Sequence, residues 1–163
     1  MKKLYFLLLF VGLMTFSFAQ YEKVKLYDTA ANAKNDISAI IKTANNLNKH
    51  IVIMAGGNWC SWCLRFNELI INDAQLDSIV KADYIIYHLN FSKENKNEAT
   101  FAKYGYPQRF GFPVFIILDQ NGTRIHTQNS GLLEEGKGYS KDKVKEFFLH
   151  WNLKAISPDS YKN

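Results

Sequence analysis

Apolar and polar residues follow two rhythms in the first half of the chain, one typical of helices and one typical of buried strands. Residues 30–48 place apolar side chains three or four positions apart, which predicts a helix. Residues 50–55 form a short apolar run that ends at Gly56-Gly57, as expected for a buried strand. A helix over residues 64–71 follows, and then a second, shorter helix around Leu76, Ile79 and Val80.

The second half of the chain contains strand-like runs separated by polar segments. Residues 84–91 are nearly all apolar, which predicts a strand buried on both faces. Residues 94–104 predict a helix that ends at Gly105, because glycine is the preferred residue after a helix. The runs 114–118 and 123–128 flank an Asn-Gly pair that favours a tight turn, so they predict two antiparallel strands.

The last predicted element is a helix that Ser140 can cap. Its apolar residues have helical spacing; they are Val144, Phe147, Phe148 and Trp151. The last dozen residues predict a loose tail. Strands that alternate with helices and then end in a hairpin predict a three-layer α/β domain with a mixed central sheet.

The N-terminus has the composition of a targeting segment. Lys2 and Lys3 precede the apolar run 4–18, and small residues stand at the end of the segment 17–19. This pattern predicts a cleaved secretory signal, with Gln20 as the first mature residue. An uncleaved membrane anchor is the alternative, but the run is shorter than the roughly 20 residues that span a bilayer.

These observations divide the chain into a signal peptide (1–19), one domain (20–153) and a C-terminal tail (154–163). Cleavage removes two lysines and no acidic residue, which lowers the formal net charge from +5 to +3. We therefore expect an exported protein, periplasmic or secreted, that is not inserted in the membrane after cleavage. No basic stripe interleaved with aromatic residues is visible in the sequence, so nucleic acid is not an expected partner.

The two cysteines of the chain, Cys60 and Cys63, stand only three residues apart. A disulfide that closes so small a loop removes little entropy from the unfolded chain, so it stabilises a fold poorly. A zinc site needs about four ligands, and the histidines are scattered singly, so we expect no metal. An inert structural disulfide remains an alternative, but a redox-active dithiol explains the spacing better.

The position of the dithiol, where a buried strand gives way to a helix, favours this chemistry. The N–H groups and positive dipole end at a helix start stabilise a thiolate, so Cys60 is the predicted nucleophile. Cys63, one turn later, is expected to be more buried and to resolve the mixed disulfide.

Two segments of the chain resemble the thioredoxin-like superfamily. Residues 51–63, which end in Trp-Cys-Ser-Trp-Cys, look like its strand-to-active-site segment, and residues 110–118 look like its cis-proline strand. The resemblance covers about residues 30–152. It is closest to exported bacterial thioredoxin-like proteins with a W-C-x-W-C motif, and it implies a thioredoxin fold with an extra N-terminal helix. It also implies a thiol-disulfide oxidoreductase that uses no cofactor.

The resemblance assigns four further residues to the site. Pro113 matches the proline that follows a cis peptide bond and presents its backbone to the substrate. Phe112 precedes it and is expected to contact the substrate or the Cys60 sulfur. Trp59 and Trp62 are expected to contact the substrate beside the disulfide, with Trp62 exposed. Packing alone is the alternative for Phe112 and Trp62.

Two positions depart from the family pattern. Many thioredoxins carry a buried aspartate where this chain has Met54, and a lysine where it has His88. Since Met54 cannot accept a proton, the deprotonation of Cys63 is left to water or to another group. A histidine satisfied within a strand is the commoner situation, so His88 is not assigned a catalytic role.

Three functions follow from these features. The first is a periplasmic protein-disulfide reductase, recharged by a membrane electron donor, whose partners are proteins that carry disulfides or dithiols. The second runs in the opposite direction, as an oxidase or isomerase. The third is a peptide-binding module without turnover. The sequence does not determine the direction of electron flow.

Overall fold

The computed structural model describes residues 25–162. The predicted signal peptide, with its cleavage point before Gln20, lies outside the described residues. Within the described range, the helices are all too short or too polar to cross a membrane.

Helices and strands alternate in nearly the predicted order. The helices are α1 (Ala33–Leu47), α2 (Ser61–Asn72), α3 (Ala74–Asp83), α4 (Glu98–Lys103), α5 (Lys141–His150) and α6 (Leu153–Ile156). The strands are β1 (His50–Gly56), β2 (Tyr84–Asn90), β3 (Val114–Leu118), β4 (Arg124–Asn129), β5 (Glu134–Glu135) and β6 (Gly138–Tyr139).

A four-stranded sheet with the order β2-β1-β3-β4 forms the centre of the domain. Strand β1 pairs parallel with β2 and antiparallel with β3, and β3 pairs antiparallel with β4. The predicted mixed sheet is therefore confirmed. The carboxyl end of β1 leads directly into the cysteine segment, and Val114, the first residue of β3, pairs with Ala55 near that end.

Alternate side chains of β1 pack into two separate hydrophobic cores, one on each face of the sheet. Val52 and Met54 belong to a buried cluster with side chains of α2, α3 and α5. Ile51 and Ile53 belong to a second cluster with side chains of α1 and α4. Because successive side chains of a strand point to opposite faces, the continuous apolar run of β1 fills both cores. The predicted three-layer architecture is confirmed.

Strand β2 differs from its prediction, because it is not fully buried on both faces. Its four central residues, 85–88, are only half-buried. The strand lies at the edge of the sheet, with β1 on one side only. An edge strand is covered less completely than a central one.

Helix α4 begins four residues later than predicted, because a polar loop occupies the residues before it. Asn97 has a left-handed backbone conformation (φ 49°), and its side-chain amide donates to the carbonyl oxygen of Asn90 at 2.8 Å. Asn90 in turn donates to the carbonyl oxygen of Asn95 at 2.9 Å. Asparagine side chains that bond to the backbone compete with helix formation. Gly105 follows the helix with φ 76°, as predicted.

The C-terminal region departs from the predicted loose tail. It contains α6 and a 3-10 turn over Pro158–Tyr161. Asn152 organises this region, since its side chain accepts from the backbone N–H of Ala155 and donates to Asp83. Ser140 does precede α5, but its side chain makes no capping hydrogen bond.

Candidate active site

A disulfide joins Cys60 and Cys63 at the start of α2. Cys60 is the residue that caps the helix, and its sulfur accepts a hydrogen bond from the backbone N–H of Cys63 at 3.1 Å. The sequence thus places a sulfur where a helix has free N–H donors and a positive dipole end. Both features stabilise a negative charge on Cys60 when the disulfide is reduced.

The two sulfurs differ in their access to solvent. Cys60 is 5% exposed, whereas Cys63 is 0% exposed and belongs to the core beneath α2. The expectation that Cys63 is the more buried cysteine is confirmed. Of the two cysteines, Cys60 is the one that keeps some exposed surface.

Trp59 forms the exposed wall beside the disulfide. The residue is 60% exposed, and its indole N–H donates to the carbonyl oxygen of Phe91 at 2.7 Å. Its ring meets the ring of Phe112 edge to face, with centroids 5.6 Å apart. The hydrogen bond fixes the indole while leaving its face open to solvent.

The segment before β3 lies at the same end of the sheet. The peptide bond between Phe112 and Pro113 is cis, as the resemblance implies. Pro113 is buried, and Phe112 is half-buried between Trp59 and Phe91, with its ring centroid 5.0 Å from that of Phe91. The structure thus brings together Trp59 and Phe112, which are far apart in the sequence.

Trp62 is half-buried rather than exposed as expected. The ring of Tyr139, from β6, meets it edge to face at 5.4 Å, and the guanidinium of Arg65 lies 5.3 Å from its centroid. The Tyr139 hydroxyl also donates to the carbonyl oxygen of Trp62 at 3.3 Å. The small β5–β6 hairpin, which the sequence did not predict, covers part of the indole.

The other side of the disulfide faces the segment before α1. Tyr27 is 0% exposed and belongs to the same buried cluster as Cys60 and Cys63. A methyl group on Gly56 would clash with the sulfur of Cys63 and would lie 2.9 Å from the Tyr27 hydroxyl oxygen. The missing side chain of Gly56 therefore makes room for both the sulfur and the tyrosine.

Tyr27 is tied to the active-site loop through its backbone. The side chain of Asn58 accepts from the Tyr27 N–H at 3.0 Å and donates to the Tyr27 carbonyl oxygen at 2.7 Å. Sequence reasoning missed this contact, because it joins residues 31 positions apart and Tyr27 belongs to no periodic segment. The Asn-Trp-Cys run alone gives no sign of it.

His88 lies on the strand next to the one that carries Met54. Burial lowers the pKa of its imidazole from 6.5 to about 4, so the ring is neutral at physiological pH. Its Nε2 atom is buried and has no hydrogen-bond partner among the described residues. Its ring meets the ring of Tyr27 edge to face, with centroids 5.4 Å apart.

Comparison with known proteins identifies the family. The sequence-family model for the thioredoxin-like domain matches residues 37–136, which are more than half of the chain. The chain belongs to the thioredoxin-like domain family. No curated protein matches its sequence significantly.

Three solved structures share the thioredoxin-like fold. A disulphide isomerase from Xylella fastidiosa Temecula1 matches with a TM-score of 0.67 at 18% identity, over 76% of this chain and 94% of that one. The oxidised C-terminal domain of DsbD from Neisseria meningitidis matches with a TM-score of 0.51 at 19% identity, over 72% and 94%. A DsbH oxidoreductase matches with a TM-score of 0.50 at 19% identity, over 69% and 80%.

A thioredoxin-like domain with a Cys-X-X-Cys disulfide at the start of its helix has the chemistry of thiol-disulfide exchange. Reduction yields a Cys60 whose thiolate is stabilised by a backbone N–H, and a second thiol, Cys63, that is close enough to form a disulfide with it. The protein is therefore a thiol-disulfide oxidoreductase of the thioredoxin-like family.

Proposed function

We propose that this protein is an exported protein-disulfide reductase in which Cys60 is the nucleophile and Cys63 is the resolving thiol. The observation that carries the proposal is the pairing of a recessed Cys60, which keeps 5% exposure and accepts a backbone N–H, with a Cys63 that is 0% exposed. Only the first of these sulfurs can meet a second protein.

The reaction proceeds through two exchanges. The Cys60 thiolate attacks one sulfur of a substrate disulfide, the substrate S–S bond breaks, and the other substrate sulfur leaves and takes up a proton from water. Cys63 then loses its proton and attacks Cys60, which releases the second substrate sulfur. The substrate gains two electrons and two protons, and the protein ends with the Cys60–Cys63 disulfide.

The environment of Cys60 supports the reducing direction. A strong oxidant requires a strongly stabilised thiolate, because that stabilises its reduced form. Here the stabilisation comes from the N–H of Cys63 and the helix start, and the intervening Ser61 and Trp62 carry no positive charge. Arg65, which lies over the Trp62 ring, directs one N–H to the carbonyl oxygen of Lys137.

Four residues are proposed to contact the substrate. Trp59 offers an open indole face, and Phe112 packs against it. Pro113, behind Phe112, presents backbone to an extended substrate segment. Trp62 contributes the part of its indole that Tyr139 and Arg65 leave uncovered. The substrates are proteins that carry accessible disulfides.

Export and recharging complete the proposal. The signal-like residues 1–19 direct the protein out of the cytoplasm. An exported reductase is oxidised at every turnover and receives no electrons from soluble cytoplasmic donors. A membrane electron donor therefore returns the Cys60–Cys63 disulfide to the dithiol.

The reduction potential tests the direction of electron flow. The protein is equilibrated with glutathione buffers, and the Cys60–Cys63 disulfide is quantified by alkylation of the free thiols. A potential near about −270 mV supports a reductase, and one near about −120 mV would identify an oxidant instead. An intermediate value close to about −180 mV would favour an isomerase.

Turnover and partners are tested with two matched variants. Wild-type protein is expected to accelerate insulin reduction by dithiothreitol, and Cys60→Ser is expected to abolish the acceleration. Equal rates for the two proteins would indicate a binding module without turnover. Cys63→Ser is expected to retain substrates as mixed disulfides on Cys60, which identifies them after affinity capture.

A further inference from the structure

The deprotonation of Cys63 has no carboxylate to assist it on β1, since Met54 occupies the matching position. A different polar group stands close to the sulfur. The Tyr27 hydroxyl and the Cys63 sulfur both border the empty side-chain position of Gly56, and the two groups are not hydrogen-bonded to each other in the oxidised structure. The tyrosine comes from the segment before α1, on the buried side of the disulfide.

The hydroxyl of Tyr27 is buried and has no hydrogen-bond partner within residues 25–162. A buried hydroxyl without a partner costs free energy in the state where it is unpaired, and such groups in native structures often have a redox or catalytic role. A disulfide sulfur is a weak acceptor, whereas a thiolate is a strong one. Reduction of the disulfide therefore creates the acceptor that this hydroxyl lacks.

Tyr27 is held in place rather than resting loosely against the core. Asn58, two residues before Cys60, makes two hydrogen bonds to its backbone. Its ring is packed in the cluster that contains both cysteines. The loop that carries the dithiol thus also positions the tyrosine.

The Tyr27 phenol can donate a hydrogen bond, but it does not ionise at physiological pH. Burial, and to a smaller extent Tyr139, raises the pKa of Tyr27 far above its ordinary value of 10. Two titratable side chains adjoin it, His88 from β2 and Tyr139 from β6. The imidazole is neutral and a phenol carries no positive charge, so neither side chain supplies a positive charge for the Cys63 thiolate. The Tyr139 hydroxyl is in any case engaged as a donor to the Trp62 carbonyl oxygen.

We propose that the Tyr27 hydroxyl donates a hydrogen bond to the Cys63 thiolate and thereby promotes the resolving step. The proposal rests on the proposed function and assigns the group that assists its second exchange. In that exchange Cys63 passes its proton to water, the Tyr27 O–H hydrogen-bonds the resulting thiolate, and the thiolate attacks Cys60. Tyr27 remains protonated throughout, so no proton is gained or lost by the tyrosine.

The direct test measures the acidity of Cys63 without any substrate. In a Cys60→Ser background Cys63 is the only cysteine, and its thiolate is followed by ultraviolet absorbance as the pH is raised. Tyr27→Phe keeps the ring and removes only the hydroxyl. A hydrogen bond to a charged group changes an ionisation equilibrium by about tenfold or more, so the variant should raise the Cys63 pKa by about one unit.

Tyr104→Phe is the matched control. Tyr104 is also a buried tyrosine whose hydroxyl has no partner within the described part of the chain, but it belongs to the core on the opposite face of the sheet. It is expected to leave the Cys63 pKa unchanged. An unchanged pKa in Tyr27→Phe, or equal shifts in both variants, would overturn the proposal.

A second substitution keeps the proposal testable if Tyr27→Phe does not fold. Replacement of Tyr27 by 3-fluorotyrosine retains the hydroxyl and makes it a stronger donor, so the Cys63 pKa should fall. A Cys63 pKa that stays the same or rises would overturn the proposal.

Kinetics then connect the hydrogen bond with turnover. In the two-cysteine protein, Tyr27→Phe should slow the release of a preformed mixed disulfide about threefold near neutral pH and less at higher pH. The roughly tenfold smaller thiolate fraction is partly offset by the greater nucleophilicity of the more basic thiolate. The first attack by Cys60 should keep its wild-type rate. A slower first attack with unchanged release would contradict the role of Tyr27. Lack of insulin reduction by the wild-type protein would instead contradict the proposed function, because the thiolate titration needs no turnover.

Discussion

Met54 lies directly opposite His88 in the parallel pairing of β1 with β2. In many thioredoxins an aspartate and a lysine occupy these two positions and form a polar pair beneath the dithiol. Here a thioether stands beside an imidazole that burial keeps neutral. The buried face of this site therefore carries hydrogen-bonding groups without net charge.

The depressed pKa of His88 predicts a loss of stability in mild acid. The folded value of about 4 lies below the ordinary value of 6.5, so the unfolded chain binds a proton at a higher pH than the folded one. The stabilisation is present above pH 6.5 and is lost as the pH falls toward 4, by up to about 3 kcal/mol. Urea unfolding across this range measures the loss.

His88→Gln is the control for that prediction, because glutamine is polar but does not titrate. The variant should lose less stability than the wild type over the same pH interval. Parallel curves for the two proteins would show that other groups cause the acid sensitivity.

The two hydrogen bonds between Asn58 and Tyr27 predict a local effect of Asn58→Ala. The substitution leaves the N–H and the carbonyl of a buried residue without their partners, which costs about 1–3 kcal/mol. Hydrogen exchange of the Tyr27 amide should accelerate. Asn45→Ala removes an exposed hydrogen bond to Asn121 and should have little effect on the same amide.

The absence of a side chain at Gly56 predicts that even one methyl group is harmful there. In Gly56→Ala the new Cβ would clash with the Cys63 sulfur and crowd the Tyr27 hydroxyl, at an overpacking cost of about 1–3 kcal/mol. Gly138→Ala is the matched control, since a Cβ there would meet open space. Chemical denaturation should separate the two variants, and equal stabilities would contradict the crowding.

The tryptophans predict a fluorescence signal for the redox state. Trp59 and Trp62 flank the disulfide, which quenches nearby indoles, so emission should rise on reduction. The backbone carbonyl of Trp151 is hydrogen-bonded to the imidazole of His50, the first residue of β1. At the usual rise per residue of a strand, this end of β1 lies about 20 Å from the cysteines. Trp151→Phe should retain the change, whereas the double substitution of Trp59 and Trp62 to Phe should remove it.

Local patterns predicted the elements whose structure depends on neighbouring residues. Strand β1 and helix α2 follow from a continuous apolar run and from helical spacing, and the place of Cys60 at their junction follows from both. The Asn-Gly turn between β3 and β4 likewise needs only its own residues. The dithiol and its burial order could therefore be predicted before the structure.

Contacts between distant segments determine the structural features that the sequence patterns did not predict. The partial burial of β2 depends on its place at the sheet edge, and the late start of α4 depends on side chains that bond to Asn90. The cover over Trp62 comes from Tyr139, which is 77 positions away. Tyr27 packs beside the dithiol and is held there by Asn58, which is 31 positions away. None of these relations leaves a periodic signal in the sequence.

The recessed position of Cys60 has a consequence for substrate choice. With 5% of the residue exposed, an incoming disulfide must extend beyond the surface of its own protein to align with the sulfur. Disulfides on projecting loops or in unfolded chains satisfy this condition, whereas those packed inside a folded domain do not. In the proposed reaction, the shape of the entrance therefore selects disulfides by how far they project, without any recognition of the surrounding sequence.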